Sequence, residues 1–381
     1  MLEAAPQHNM ERRTFLKGAA VATAAPVSIE PGFTSLFNGQ SLEGWSVADG
    51  PETAFYVRDG AIVVHQSANY PAWLRSSRQY ENFDFRCDFY LQGWMDSGIF
   101  LHAPEHGRPT WSGVNIKLFH KDEDPPKPTS AGAVFPLVAP SKVNVKSKGE
   151  WNTFRAVFDW PRLRVWINDE QVQDLDVEAN PELRWRLRRG YLGLQSLSYP
   201  IRFRNLRVRE LPAKETWEPL YEQPGDLAKW FLAEGKARFE PLGEVLYGDG
   251  LGHLATKEQY GNFELQLYVR ASLHSNGGVL FRCDADREKR HYEIQIHDVE
   301  DAVYPTGSLY YFERARYPKI EAEKWYLMQL IAQGPNCFVR VNGETVMEYH
   351  KLENTAPGHI MLQAHQAGMP IEYKHIRIKR L

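Results

Sequence analysis

Cysteine is nearly absent from this chain, with only Cys87, Cys283 and Cys337 among 381 residues. The three form no metal-ligand spacing, so no thiolate metal centre is expected, and they read as buried or idle thiols. A surplus of charge of one sign is also missing. Lys and Arg number 45 against 48 Asp and Glu, a net charge of -3. Neither nucleic acid nor an anionic membrane is therefore expected as a partner. No hydrophobic run is long enough to span a bilayer, which takes about 20 apolar residues, and no long amphipathic helix is evident. Aromatic residues, at 13%, are plentiful, as suits β-sheets and surfaces that meet carbohydrate.

The chain repeats itself. Gln79-Tyr80-Glu81-Asn82-Phe83-Asp84-Phe85 returns as Gln259-Tyr260-Gly261-Asn262-Phe263-Glu264-Leu265, and Ser97-Gly98-Ile99-Phe100 as Gly277-Gly278-Val279-Leu280. Later pairs follow at slowly shrinking offsets: Ala131-Gly132-Ala133 with Thr306-Gly307-Ser308, Val165 to Asp169 with Val339 to Gly343, and Leu194-Gln195 with Leu362-Gln363. The copies close on Asn205-Leu206-Arg207-Val208 and His375-Ile376-Arg377-Ile378. A period this long marks a tandem domain, since solenoid repeats run to roughly 20–50 residues. The cysteines occupy no equivalent positions in the two copies, so a shared disulfide is not expected.

Each copy reads as β-structure. Phe83 to Phe89, Tyr292 to His297 and Phe338 to Asn342 alternate apolar and polar, as half-buried strands do. Asp59-Gly60 and Asn342-Gly343 are hairpin turns, where positive φ is required. The expected organisation is a signal segment over residues 1–25, a first β-sandwich over 31–211 and a second over 217–381. The linker near Glu210 to Thr216 is short, so the domains should touch. Arg12-Arg13-Thr14-Phe15-Leu16-Lys17, the alanine-rich stretch to Val27 and Ala22-Thr23-Ala24 have the order of a twin-arginine export signal. The mature protein is accordingly placed in the periplasm or outside the cell.

Phe33-Thr34-Ser35-Leu36-Phe37-Asn38-Gly39 with Gly44-Trp45 resembles the opening of the 3-keto-disaccharide hydrolase family. The second copy supplies further marks: Asn276-Gly277-Gly278-Val279-Leu280-Phe281-Arg282, Tyr292 to Asp298, Thr306 to Tyr310, and Leu362-Gln363-Ala364-His365. The resemblance implies an all-β fold of two tandem concanavalin A-like jelly-roll sandwiches. It also implies activity on glycosides whose C3 hydroxyl has become a ketone. The family's chemistry is a 1,2-lyase step giving a 3-keto-2-hydroxy-glucal, with hydration of that glycal as its companion and 3-keto-disaccharide hydrolysis as the net result.

Alternation places Glu293, Gln295 and His297 on one face of their strand and Gln363 with His365 on one face of theirs. A 3-ketone acidifies the C2 proton, so β-elimination needs a base, an acid for the departing oxygen and a holder for the enolate. Glu293 and His365 are the candidate base and acid in either order. Arg282 or a bound divalent ion is the candidate enolate holder, with His297 and Asp298 as weak candidate ligands and no cofactor otherwise required. Gln295, Gln363, Asn276, Tyr310 and Trp111 are the candidate substrate contacts. At a constant offset of 180, the first copy places Gly113 opposite Glu293, Asn115 opposite Gln295 and His102 opposite Arg282; Leu197 falls opposite His365. The first copy would then be accessory and the second catalytic. Retaining hydrolysis is disfavoured, because Gln295 stands where a laminarinase-type E-x-D-x-x-E pattern has its second carboxylate. The alternative to an enzyme is a non-catalytic, lectin-like carbohydrate binder.

Overall fold

The structure is a computed structural model that describes residues 30–66, 71–284, 291–321 and 323–381. The export segment over 1–25 lies outside these residues. Among the described residues the chain forms four antiparallel sheets, an eight-stranded and a five-stranded one in each copy. In the second copy the large sheet runs Arg238–Leu242, Val245–Asp249, Ile371–Arg380, Phe263–Ala271, Tyr326–Gln333, Asn336–Val341, Glu344–Tyr349, with Glu218–Tyr221 added along Ile371–Arg380. The small sheet runs Trp230–Gly235, Gly252–Thr256, His359–Ala364, Gly277–Cys283, Tyr292–Ile296. The first copy repeats this order strand for strand.

Alternation explains the layers. Phe83, Phe85, Cys87, Phe89 and Leu91 all point into the first core, while Asp84, Arg86 and Asp88 point outward. The second core gathers Phe263, Leu265, Leu267 and Val269 from the matching strand with Val279, Phe281, Ile294, Ile296, Ile360 and Leu362 from the small sheet. All three cysteines are free and buried. Both hairpin dipeptides take positive φ, 53° and 71° at Asp59-Gly60 and 49° and 83° at Asn342-Gly343. At Gly343 any side chain would also strike Trp111, whose carbonyl would lie 2.2 Å from the added carbon.

The domains touch along the outer face of the second copy's large sheet. The Trp185 carbonyl accepts hydrogen bonds from Gln329, at 2.9 Å, and from Arg340. Glu105 meets Lys374 at 2.7 Å and His375 at 3.0 Å, and its backbone N–H donates to the Tyr268 hydroxyl. This contact leaves the outer face of the second small sheet on the opposite side of the molecule.

Burial by itself would lower the pKa of His375, but hydrogen bonds to Glu105 and Glu222 outweigh it and raise the value to about 9. A raised folded-state pKa stabilises the protein fully below the unfolded value of about 6.5 and progressively less as pH rises, until none is left above about 9. Thermal stability should therefore fall between pH 6.5 and 9. In a His375→Gln variant this slope should flatten, and an unchanged slope would assign the loss to other groups.

Candidate active site

A cleft of about 730 Å³ opens on the outer face of the second small sheet, lined among others by Asn276, Glu293, Gln295, His297, Tyr310, Gln363 and His365. Cross-strand register explains why these residues meet. Gln295 pairs with Gly278, Gly278 with Gln363, Gln363 with His253 and His253 with Glu234, so one polar row crosses the whole sheet. The next row is apolar except at its end: Glu293 pairs with Leu280, Leu280 with Met361, Met361 with Ala255 and Ala255 with Phe231. Glu293 thus sits where the polar row meets a buried apolar row. Gly278 has no side chain because Glu293 lies over it, and an added methyl would sit 2.4 Å from Glu293 Oε1.

Hydrogen bonds fix the polar row. Gln295 Nε2 donates to the Asn276 side-chain oxygen and, at 3.2 Å, to the Gly277 carbonyl. His253 Nδ1 lies 3.2 Å from Glu234 Oε2, and its Nε2 lies 3.1 Å from Gln363 Nε2. These contacts select one tautomer: Nδ1–H donates to Glu234, and the Nε2 lone pair accepts from the Gln363 amide. Neither His253 nor Glu234 was evident from sequence. Their only signal is comparative, since Trp73 and Asp49 occupy the matching places in the first copy, with Trp73 Nε1 donating to Asp49 Oδ2 at 3.0 Å. The carboxylate is kept and the ring is changed from indole to imidazole.

The cleft's outer wall is aromatic. Tyr304 and Tyr310 ring centroids are 5.2 Å apart, Tyr310 and Tyr311 4.2 Å, and Phe312 and Val303 stand exposed beside them. Tyr310 was expected here. Tyr304, Tyr311, Val303 and Phe312 were not, although the run Tyr310-Tyr311-Phe312 was visible in the sequence. Such rings offer flat apolar faces to a sugar or a planar aglycone.

Three sequence expectations are corrected by the geometry. Arg282 is not in the cleft but is fully buried, donating to the carbonyls of Gly261 at 3.1 Å, Gly334 at 2.8 Å and Asn354 at 3.0 Å. It occupies a β-bulge with φ of 52°, matched by His102 at 53° in the first copy. Both side chains hold a bend in the strand, so their difference carries no catalytic meaning. Trp111 does not reach the cleft. It lies in the short helix Pro109–Ser112, its ring beside the Arg108 and Arg186 guanidiniums and its backbone against Gly343.

The third correction concerns the offset. Ile116 bridges Val134 as Ile294 bridges Leu309, so the offset on this strand is 178. The preceding loop is two residues longer in the first copy. Asn115, not Gly113, therefore stands opposite Glu293, and Lys117 opposite Gln295; an added methyl on Gly98 would meet Asn115 as one on Gly278 meets Glu293. The first copy's loop carries the Pro109–Ser112 helix, which packs across that copy's strands. Thr110 accepts from Asn115 at 3.3 Å, and Arg186 fastens the helix through the Thr110 and Gly113 carbonyls. Asn115 is buried beneath it. In the first copy a neutral amide beneath this helix thus takes the place of the Glu293 carboxylate.

His297 lines the cleft, and burial lowers its pKa with help from nearby His274. Asp298 turns away from it: burial pushes its pKa up to about 6, against hydrogen bonds from Thr306 and Tyr326. The two do not converge on a common point with a third ligand among the described residues. The trio that does converge, Glu105, Glu244 and His375, lies at the domain contact, where the Lys374 ammonium already sits 2.7 Å from Glu105 and 3.6 Å from Glu244.

Two jelly-roll sandwiches behind an export signal, with a carboxylate, imidazoles and amides in an open cleft, define an exported carbohydrate-active protein. The chain belongs to the 3-keto-alpha-glucoside-1,2-lyase-like domain family, whose model matches residues 32–209 and again 216–379. A twin-arginine translocation signal matches residues 9–27 and directs the protein to the periplasm or beyond. No helix among the described residues is long and apolar enough to cross a membrane.

Among solved structures, the chain is similar to a protein described as a candidate glycosyl hydrolase from Parabacteroides distasonis. Identity is 22% over 48% of this chain and 94% of that one, with a TM-score of 0.42. A carbohydrate-binding module, CBM66, from Bacillus subtilis matches at 15% identity over 40% of this chain and 95% of that one, TM-score 0.31. A β-glucanase of Bacillus licheniformis matches at 14% over 45% and 100%, TM-score 0.33. A curated relative, isoleucine–tRNA ligase of Sulfurimonas denitrificans, is 28% identical over 171 residues, which is 43% of this chain and only 16% of that protein's length.

Proposed function

We propose that the second copy cleaves 3-keto-glycosides by elimination and hydrates the resulting glycal, and that the first copy is accessory. The observation that carries this reading is Glu293, set over Gly278 at the junction of a polar and an apolar row, in one cleft with His365. The Glu293 carboxylate takes the C2 proton, the electron pair forms the C1–C2 double bond, and the C1–O bond breaks toward the departing oxygen. His365 gives that oxygen its proton. The enolate oxygen at C3 takes a hydrogen bond from the Gln363 amide, whose orientation His253 and Glu234 hold. Hydration reverses these roles with water as the entering group. The tyrosine wall takes the aglycone.

NMR of the purified protein with a 3-keto-glucoside in deuterated buffer tests this, with and without added divalent ion. Aglycone release with a 2-hydroxy-glucal signal or deuterium at C2 is the expected result. Binding of several 3-keto-glycosides without turnover in either condition would instead establish a carbohydrate-binding protein. A subtler test uses Gly278→Ala. The added methyl displaces only the flexible end of Glu293, so turnover should fall at least tenfold while the melting temperature moves by a few degrees at most. Unchanged turnover would remove Glu293 from the reacting centre.

A further inference from the structure

A second cavity, of about 500 Å³, lies between the two domains and is remote from the cleft. Its size falls within the range used for small ligands. Comparison of the copies shows what it lacks. In the first copy, Arg207 donates to Glu30 at 3.1 Å, Arg86 donates to the same carboxylate at 2.6 Å, and Phe33 packs its ring against both guanidiniums. The closing motif equates Arg207 with Arg377, the opening strands equate Phe33 with Trp217, and the offset of 180 equates Arg86 with Gln266. Strand pairing confirms the alignment, with Thr34 opposite Val208 as Glu218 is opposite Ile378.

In the second copy the ring and the guanidinium are retained, with Arg377 5.1 Å from the Trp217 centroid. The carboxylate is not. Counted back at the same offset, Lys214 falls at the sequence position of Glu30, and it pairs instead with Asp159 at 2.7 Å. Arg377 donates through Nε at 3.0 Å and Nη2 at 2.7 Å, both to the single amide oxygen of Gln266. Among the described residues no carboxylate is in ion-pair contact with it. The cavity's own carboxylates are engaged elsewhere: Glu215 with Arg188 and Lys379, Glu222 with His375, and Glu81 with the Lys214 backbone N–H. Arg189 also lines the cavity and makes no hydrogen bond or ion pair with the described residues. A partly buried guanidinium held by a neutral amide and a ring face has no counter-charge in contact, and a carboxylate is its best-matched partner.

We propose that this cavity binds a small carboxylate-bearing carbohydrate, whose carboxylate takes on Arg377 the place that Glu30 takes on Arg207. Arg189 reinforces the charge, the Gln79 amide meets a hydroxyl, and Trp217 supplies a flat face. Because the lining comes from both copies, the ligand ties the domains together and raises the stability of the pair. The site is independent of the cleft and does not rest on the elimination chemistry.

Glucuronate is the probe, measured by calorimetry and thermal shift on the full mature chain, with glucose and inorganic phosphate as comparison arms. Glucuronate is expected to bind with one-to-one stoichiometry and to raise the melting temperature, whereas glucose at equal concentration does neither. Arg377→Gln should weaken binding at least tenfold. The exposed Arg189→Ala, which leaves the packing intact, should weaken it severalfold even if the Arg377 variant folds poorly. Glu293→Ala should leave it unchanged. Absence of glucuronate binding at millimolar concentration overturns the proposal, as does equal binding of glucose or of phosphate. Loss of binding in Glu293→Ala would place the probe in the cleft and overturn it too.

Discussion

Replacing Glu293 by Gln is expected to lower turnover of a 3-keto-glycoside about a thousandfold, the usual scale for loss of a positioned general base. The substitution keeps the volume and the fit over Gly278 but removes the basic oxygen pair. Ground-state binding depends instead on the amides and the tyrosine wall, so affinity for the substrate should change only a few-fold. Deuterium incorporation at C2 should vanish together with aglycone release, because both begin with the same proton transfer. Single-turnover kinetics on the wild type and the variant, with affinity measured separately, would check this. A variant that retains C2 exchange but releases no aglycone would reassign Glu293 from base to acid. One that retains both would remove it from the chemistry.

Arg282→Met should have the largest effect on stability and little effect on the chemistry. Three backbone carbonyls, from Gly261, Gly334 and Asn354, receive hydrogen bonds from this one guanidinium. Removing it leaves three partly buried carbonyls without this donor, at up to roughly 1–3 kcal/mol each before relaxation. A net loss of about 3–5 kcal/mol follows from the three lost bonds together, and lowers the melting temperature on the order of 10 °C for a domain of this size. Thermal denaturation followed by activity per folded molecule separates the two roles. Full stability with lost turnover would return Arg282 to the active site; the geometry predicts the reverse.

How far the site was legible depended on how local its geometry is. Glu293, Gln295 and His297 share a face because successive residues of a strand alternate, a rule that needs no partner strand. Gln363 and His365 follow from the same rule. Arg282 was misplaced because its strand bulges there, and a bulge turns the side chain out of the simple alternation. The Glu234–His253–Gln363 chain was invisible for a different reason. It exists only across three neighbouring strands whose members are separated by 19 to 110 residues in sequence.

The chain by itself determined the duplication, the β-class of both copies, the export signal and the family. Each of these is written in residue identity, period or order. Tertiary structure alone decided what covers Asn115 in the first copy. A loop two residues longer folds into the Pro109–Ser112 helix, covers Asn115 and is fastened by Arg186 from a distant loop. It also decided that Arg377 faces a cavity while Arg207 meets Glu30. Both outcomes depend on which segments pack against a sheet face, and strand periodicity fixes the face without specifying what will cover it.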